Sequence, residues 1–408
     1  MHGKPFQALR HRNFRIFWST QIISLTGSWM QTISLPWLTY TLTHSPFLLG
    51  LVGAVQFMPS LLFSLFAGAM LDRLDKKRII IITQASLTIL AAVLAALVYT
   101  KQIEFIHILI ISFLIGLANS FDMPARQSYV IEMVGKEDLM NAIGLNSAIF
   151  NLARIFGPAA AGFIMELAGM ELCFFINALS FLPVITGLFF IRTKPGAGKS
   201  KRKSGENIIK DISEGLKYIC SVRSLFWTLG GVLIVGTFAM NFNVLVPIFA
   251  KTVLAQKESG FGTLMSCMGV GSLAGALAIT IRSKKGPSKI IFGVMAFSIS
   301  IVMILTGMNR LFSTTAIGLA LAGFTNVVFF TTANSALQIN SRDSFRGRVM
   351  SVYMLLNAGT TPIGNLFVGT ISGLYGASSA FIACGAVIIV LFSILLLFYR
   401  KSMSVSPA

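Results

Sequence analysis

RIIIITQASLTILAAVLAALVYTK, residues 78–101, runs from Arg78 to Lys101 with no charge between them. As a helix rising 1.5 Å per residue, the 22 residues between those two cations reach about 33 Å. That matches a hydrocarbon core of about 30 Å. Three cations, Lys76, Lys77 and Arg78, sit at one end of the run and a single one, Lys101, at the other.

Comparable runs recur outward in both directions. The pattern of apolar stretches and polar breaks predicts helices over 14–41, 47–71, 78–100, 105–132, 138–167 and 171–192. A second set falls over 224–251, 258–281, 288–308, 312–340, 347–374 and 377–400. The expected fold is an all-α polytopic membrane protein of twelve transmembrane helices in two pseudo-symmetric six-helix bundles, residues 1–193 and 224–408, joined by a basic linker, 194–223. The halves echo each other. Gly157, Pro158 and Gly162 in helix 5 have counterparts in Gly359, Pro362, Gly364 and Gly369 in helix 11, where small residues permit close packing and proline permits a bend. Pro124 is a third bend candidate.

Composition excludes a water-soluble chain. Of 408 residues, 55% are hydrophobic and 12% charged, against about 25% charged in soluble domains. Mean hydropathy is +0.78. The net charge of +19 does not point to nucleic acid, because 27 of the 33 Lys and Arg residues fall at the termini and in alternate connections. Four lie on the other side: Lys101, Lys251, Lys257 and Arg310. This asymmetry places both termini in the cytoplasm. No small-residue cleavage pattern follows the first run, so a retained helix is expected. The lysines from Lys194 to Lys203 suit anionic headgroups. The sequence reads as a monomer.

Cys173, Cys220, Cys267 and Cys384 are scattered singly, and His2, His11, His44 and His107 fall near the amino terminus or in short connections. Neither set has metal-ligand spacing, so no metal and no cofactor is expected. No histidine cluster or activated nucleophile shares a depth plane, which excludes a membrane-embedded enzyme.

Ionisable groups at membrane depth are costly and are functional candidates by default. Asp122 and Arg126 are four apart on helix 4 and share a face, and Arg154 sits midway along helix 5. If Asp122 faces the cavity, its protonation could couple proton flow to conformational change. The competing reading is a fixed salt bridge between helices 4 and 5, and Arg154 could instead attract an anionic cargo. In the second half Asn241, Asn326, Asn334, Asn357 and Phe242 suggest a polar, neutral cargo cavity. Asp72, at the end of helix 2, is placed to cap helix 11 from about Gly347.

The segment Gly68-Ala-Met-Leu-Asp72-Arg73-Leu-Asp75-Lys76-Lys77-Arg78 resembles the loop signature of the major facilitator superfamily. Phe121 to Tyr129, Lys136 to Ala142, Asn151 to Pro158 and Arg346 to Tyr353 resemble its enterobactin-exporter-like branch. The resemblance implies two bundles around a central cavity and secondary active transport by alternating access, with proton-coupled export of a siderophore-like or drug-like molecule. It also implies a cytoplasmic latch of Gly68, Asp72, Arg73, Lys77 and Glu132, to which Arg346 or Arg348 adds a partner. Where many proton-coupled exporters carry an arginine four residues before a glycine in helix 4, this chain has Ser112 before Gly116. Uptake, lysophospholipid flipping and a nontransporting membrane sensor remain alternatives.

Overall fold

A computed structural model describes residues 6–71, 74–191, 208–282 and 286–404. The helices are α1 (Arg12–Thr43), α2 (Pro46–Leu71), α3 (Lys76–Tyr99), α4 (Phe105–Val134), α5 (Leu139–Ala168), α6 (Met170–Phe190), α7 (Ile208–Ser221), α8 (Arg223–Phe238), α9 (Phe242–Thr252), α10 (Glu258–Arg282), α11 (Lys289–Met308), α12 (Phe312–Asn340), α13 (Asp343–Gly359) and α14 (Thr361–Ser404). Ten stretches among the described residues are long and apolar enough to cross a membrane. One of them, 345–399, is bent at Gly376 into two spans. The 32-residue α1 completes the expected twelve.

Local chemistry sets several ends. Asp75 caps α3, its carboxylate accepting from the backbone amides of Lys77 at 3.0 Å and Arg78 at 3.4 Å. Gly169 between α5 and α6 has φ 88° and ψ 163°. Gly376 inside α14 has φ 85° and ψ 163°. Only glycine holds that conformation without strain. The two turns occupy equivalent places in the two halves.

Two expected helices differ from the sequence reading. The span expected over 224–251 is broken between α8 and α9 at Ala239–Asn241, because the side chain of Asn326 supplies a donor to the carbonyl of Ala239 at 3.1 Å and stabilises the opened turn. The helix expected from Gly347 begins at Asp343 and is interrupted at Thr360, just before Pro362, whose ring favours a helix start. Pro124 and Pro158 sit inside uninterrupted helices.

The chain divides into two compact units. Unit one comprises Met1–His44, Val55–Lys201 and Gln256–Ser266, and unit two comprises Ser45–Ala54, Arg202–Ala255 and Cys267–Ala408. In unit one α6 packs on α1 and α3, and α3 packs on α4. In unit two α14 packs on α8, α9 and α11, and α11 packs on α12. The same pairing scheme therefore recurs. A core of Phe14, Phe17, Ile80, Ala125, Tyr129, Val130, Met133, Val184 and Leu188 fills one end of unit one.

Candidate functional site

Asp122, 5% exposed, is held on α4 by three donors. Its Oδ1 accepts from Thr83 Oγ1 at 2.7 Å and Gln84 Nε2 at 3.0 Å, both on α3. Its Oδ2 accepts from Arg126 Nε at 2.6 Å, a charge-assisted bond within α4. The i,i+4 spacing brings Asp122 and Arg126 together as expected. Thr83 and Gln84 were not anticipated, although they form a polar pair within an apolar run. Arg126 also lies 5.8 Å from the centre of the Phe17 ring on α1.

The competing arrangement, a fixed salt bridge from helix 4 to helix 5, is not formed by Arg154. Arg154 stays outside the network, and its Nε and Nη2 are buried with no hydrogen-bond partner in the protein. These two nitrogens form one edge of the guanidinium, the geometry that grips a carboxylate with parallel bonds. On the same helical face, Phe150 meets Trp29 edge-on at 5.6 Å, and a side chain at Gly157 would meet Trp29 Cβ at 2.5 Å. Among the described residues of unit one, the guanidiniums of Arg126 and Arg154 and the carboxylate of Asp122 thus lie within the long apolar helices α4 and α5.

A second constellation joins α1, α5 and the start of α10. Trp37 Nε1 donates to Glu258 Oε1 at 2.9 Å, and its ring stacks on Phe261 at 5.3 Å and 16°. A Cβ on Gly162 would sit 3.0 Å from the Cα of Gly262, and one on Gly262 would collide with the Pro158 carbonyl. Ser266 Oγ donates to the Ile155 carbonyl at 2.7 Å, and Lys257 lies 3.9 Å from Glu166. Unit two has a neutral counterpart, where a Cβ on Gly50 would meet the Cα of Gly369 at 3.0 Å. Glu258 drew no attention in the sequence because it stands at a helix end.

The expected latch is rearranged where it is described. Glu132 pairs with Lys76 at 2.6 Å, and Lys77, the next residue, points about 100° away around the helix. Lys77 Nζ instead donates to the Ile191 carbonyl at 2.9 Å, past the end of α6. Arg348 bonds Glu214 of α7 at 3.0 Å, and Arg346 bonds Asp343 at 2.7 Å within its own helix. Tyr218 of α7 stacks on Phe345 at 4.4 Å, and its hydroxyl accepts from the amide of Arg342 at 3.1 Å. Asp72 and Arg73, with the basic stretch at 194–205, lie outside the described residues, as does the side-chain environment of Gly68.

The cargo-cavity candidates divide. Asn241, 1% exposed, and Phe242, 2% exposed, are packed inside unit two, and Gly364 fits against Asn241. Asn326 seals the α8–α9 break. Asn334, half-buried, accepts from Gln338 Nε2 at 2.6 Å and also hydrogen-bonds the buried Tyr353, and Asn357 Oδ1 is buried without a hydrogen-bond partner. Among the described residues no group of histidines, cysteines and acids is arranged to hold a metal ion.

Paired six-helix architecture, recurring glycine crossings and sparse charge at membrane depth define a multi-pass membrane transporter of the major facilitator superfamily, not an enzyme. The chain belongs to the transmembrane secretion effector family, whose model matches residues 3–406. It is 28% identical to the staphyloferrin A transporter of Staphylococcus aureus, over 91% of this chain and 92% of that one. It is 23% identical to the multidrug efflux pump Tap of Mycolicibacterium fortuitum, over 88% of each. Against the macrolide efflux protein A of Streptococcus pyogenes it is 21% identical, over 92% of this chain and 93% of that one. A bacterial homologue of the human lysosomal transporter Spinster superimposes with a TM-score of 0.76 at 12% identity, over the whole of both chains. At that identity the likeness speaks to the fold.

Proposed function

We propose that this protein is a proton-coupled exporter of a small, anionic, amphipathic organic molecule, siderophore-like or drug-like, and that it works by alternating access in a bacterial inner membrane. Its termini face the cytoplasm, as the distribution of lysine and arginine indicates. It acts as a monomer of two bundles, 1–193 and 224–408, and the lysines of the 194–223 linker contact anionic headgroups. Export is favoured by the siderophore and efflux transporters among its relatives.

The observation that carries the reading is the charge balance at membrane depth. Asp122 is paired with Arg126, whereas both nitrogens on one edge of Arg154 lack a partner. A buried unpaired cation is costly, and a cargo anion offsets that cost during each cycle. Protonation of Asp122 takes away the anionic partner of Arg126 and loosens the α3–α4 tie, so proton occupancy and helix packing become linked. The same network also braces α3 on α4 in the absence of any proton.

The test is flux of siderophores, dyes and lysolipids in oriented proteoliposomes, with and without a pH gradient. Wild-type protein is expected to accumulate cargo against its gradient only when the pH gradient is imposed. Asp122→Asn should insert, bind and exchange cargo, yet lose uphill accumulation. Uphill accumulation at wild-type rate by Asp122→Asn would refute the coupling role.

A further inference from the structure

Several buried polar atoms in unit one have no hydrogen-bond partner in the protein, and they share one depth. They are Gln21 Oε1 on α1, Gln84 Oε1 on α3, Arg126 Nη1 on α4 and Asn146 Oδ1 on α5. Measured from the helix ends at that side of unit one, Gln21 lies nine residues past Arg12 and Gln84 eight past Lys76. Arg126 lies eight before Val134, and Asn146 seven past Leu139. At 1.5 Å per residue all four stand about 11–14 Å in.

Side-chain contacts tie three of them together laterally. Gln84 bonds Asp122, one turn from Arg126. Arg126 lies over Phe17, one turn from Gln21 on the same face of α1. The orientation of the Gln84 amide is fixed, because a carboxylate offers only acceptors and must receive its Nε2, which leaves Oε1 turned elsewhere. Gln84 is 1% exposed and Gln21 9% exposed, so bulk solvent does not satisfy these oxygens. Below the layer, Phe14, Phe17, Ile80, Tyr129 and Met133 form an apolar floor. A buried donor on the same level as two buried acceptors is the pattern that internal water satisfies with two to four bonds.

We propose that this layer is a binding site for ordered internal water, bridging Arg126 Nη1 to Gln84 Oε1 and Gln21 Oε1. Where Asp122 carries the coupling proton, as proposed above, this water is the carrier next to it. A proton that arrives on this water as hydronium passes to the Asp122 carboxylate and leaves neutral water behind, and Arg126 keeps its charge throughout.

Synchrotron hydroxyl-radical labelling of the purified full chain tests the site, because radicals are generated from internal water as well as bulk water. Phe17 borders the layer, and Phe174, in the same unit, is equally shut off from bulk solvent at 0% exposed against 1%. Phe17 should label roughly tenfold faster than Phe174 if water is ordered beside it. In Gln21→Met with Gln84→Met the two rates should converge. Should that pair fail to give a monodisperse protein, Gln21→Met alone serves, since it leaves every hydrogen bond to Asp122 in place. Equal labelling of Phe17 and Phe174 in the wild type, or a rate ratio unchanged by the substitutions, overturns the proposal. No cargo or gradient enters the measurement, so failure of the water site and failure of Asp122 coupling are read separately.

Discussion

Replacing Trp37 by Phe removes one hydrogen-bond donor and keeps an aromatic ring over Phe261, which isolates the Trp37–Glu258 bond. Hydrogen bonds to charged groups contribute about 1.5–3 kcal/mol. Glu258 retains partial access to solvent and regains water once the indole is gone, so the lower figure applies. A loss of about 1.5 kcal/mol changes an equilibrium roughly tenfold. The equilibrium concerned is between the closed α5–α10 crossing and its separated form. Spin labels at Leu167 on α5 and Thr263 on α10, both exposed, report the separation by pulsed dipolar spectroscopy. In Trp37→Phe the ratio of long to short distances should rise about tenfold. Glu258→Gln keeps an acceptor and should move it less. An unchanged ratio in Trp37→Phe, or an equal change in Glu258→Gln, would show that the bond does not hold the crossing.

Two further outcomes follow from the second unit. Asn326→Leu strands the Ala239 carbonyl at the α8–α9 break, and a buried unsatisfied group costs about 1–3 kcal/mol; thermal inactivation in detergent should occur several degrees lower. Tyr218→Ala removes the stack on Phe345 and the hydroxyl that accepts from Arg342, so limited proteolysis should cut α7 faster while the transmembrane helices stay protected. Cleavage at the wild-type rate would mean that α7 is held by other contacts.

Much of the fold could be read from charge-free runs bounded by cations, because a bilayer imposes length and polarity on every span. Asp122 with Arg126 was equally legible, since an i,i+4 pair lies on a single helix. What escaped depends on the register between helices. Thr83 and Gln84 reach Asp122 only because α3 packs on α4 at that height. That Lys76 is the cation that meets Glu132 depends likewise on how α3 is rotated against α4. The α8–α9 break was hidden because the group that stabilises it, Asn326, is 87 residues away from Ala239. The ion pair of Glu214 with Arg348 was likewise out of reach, since α7 reads as a tether until its docking on α13 is seen.

The single-glycine turns have a mechanical meaning. Gly169 joins α5 to α6 and Gly376 divides α14 with no intervening loop to take up slack. A helix coupled so tightly to its neighbour cannot slide or tilt alone, so force applied to α5 at its contact with α10 is transmitted at once to α6. Each antiparallel pair therefore behaves as a stiff hairpin lever, and compliance has to come from places such as the opened turn between α8 and α9.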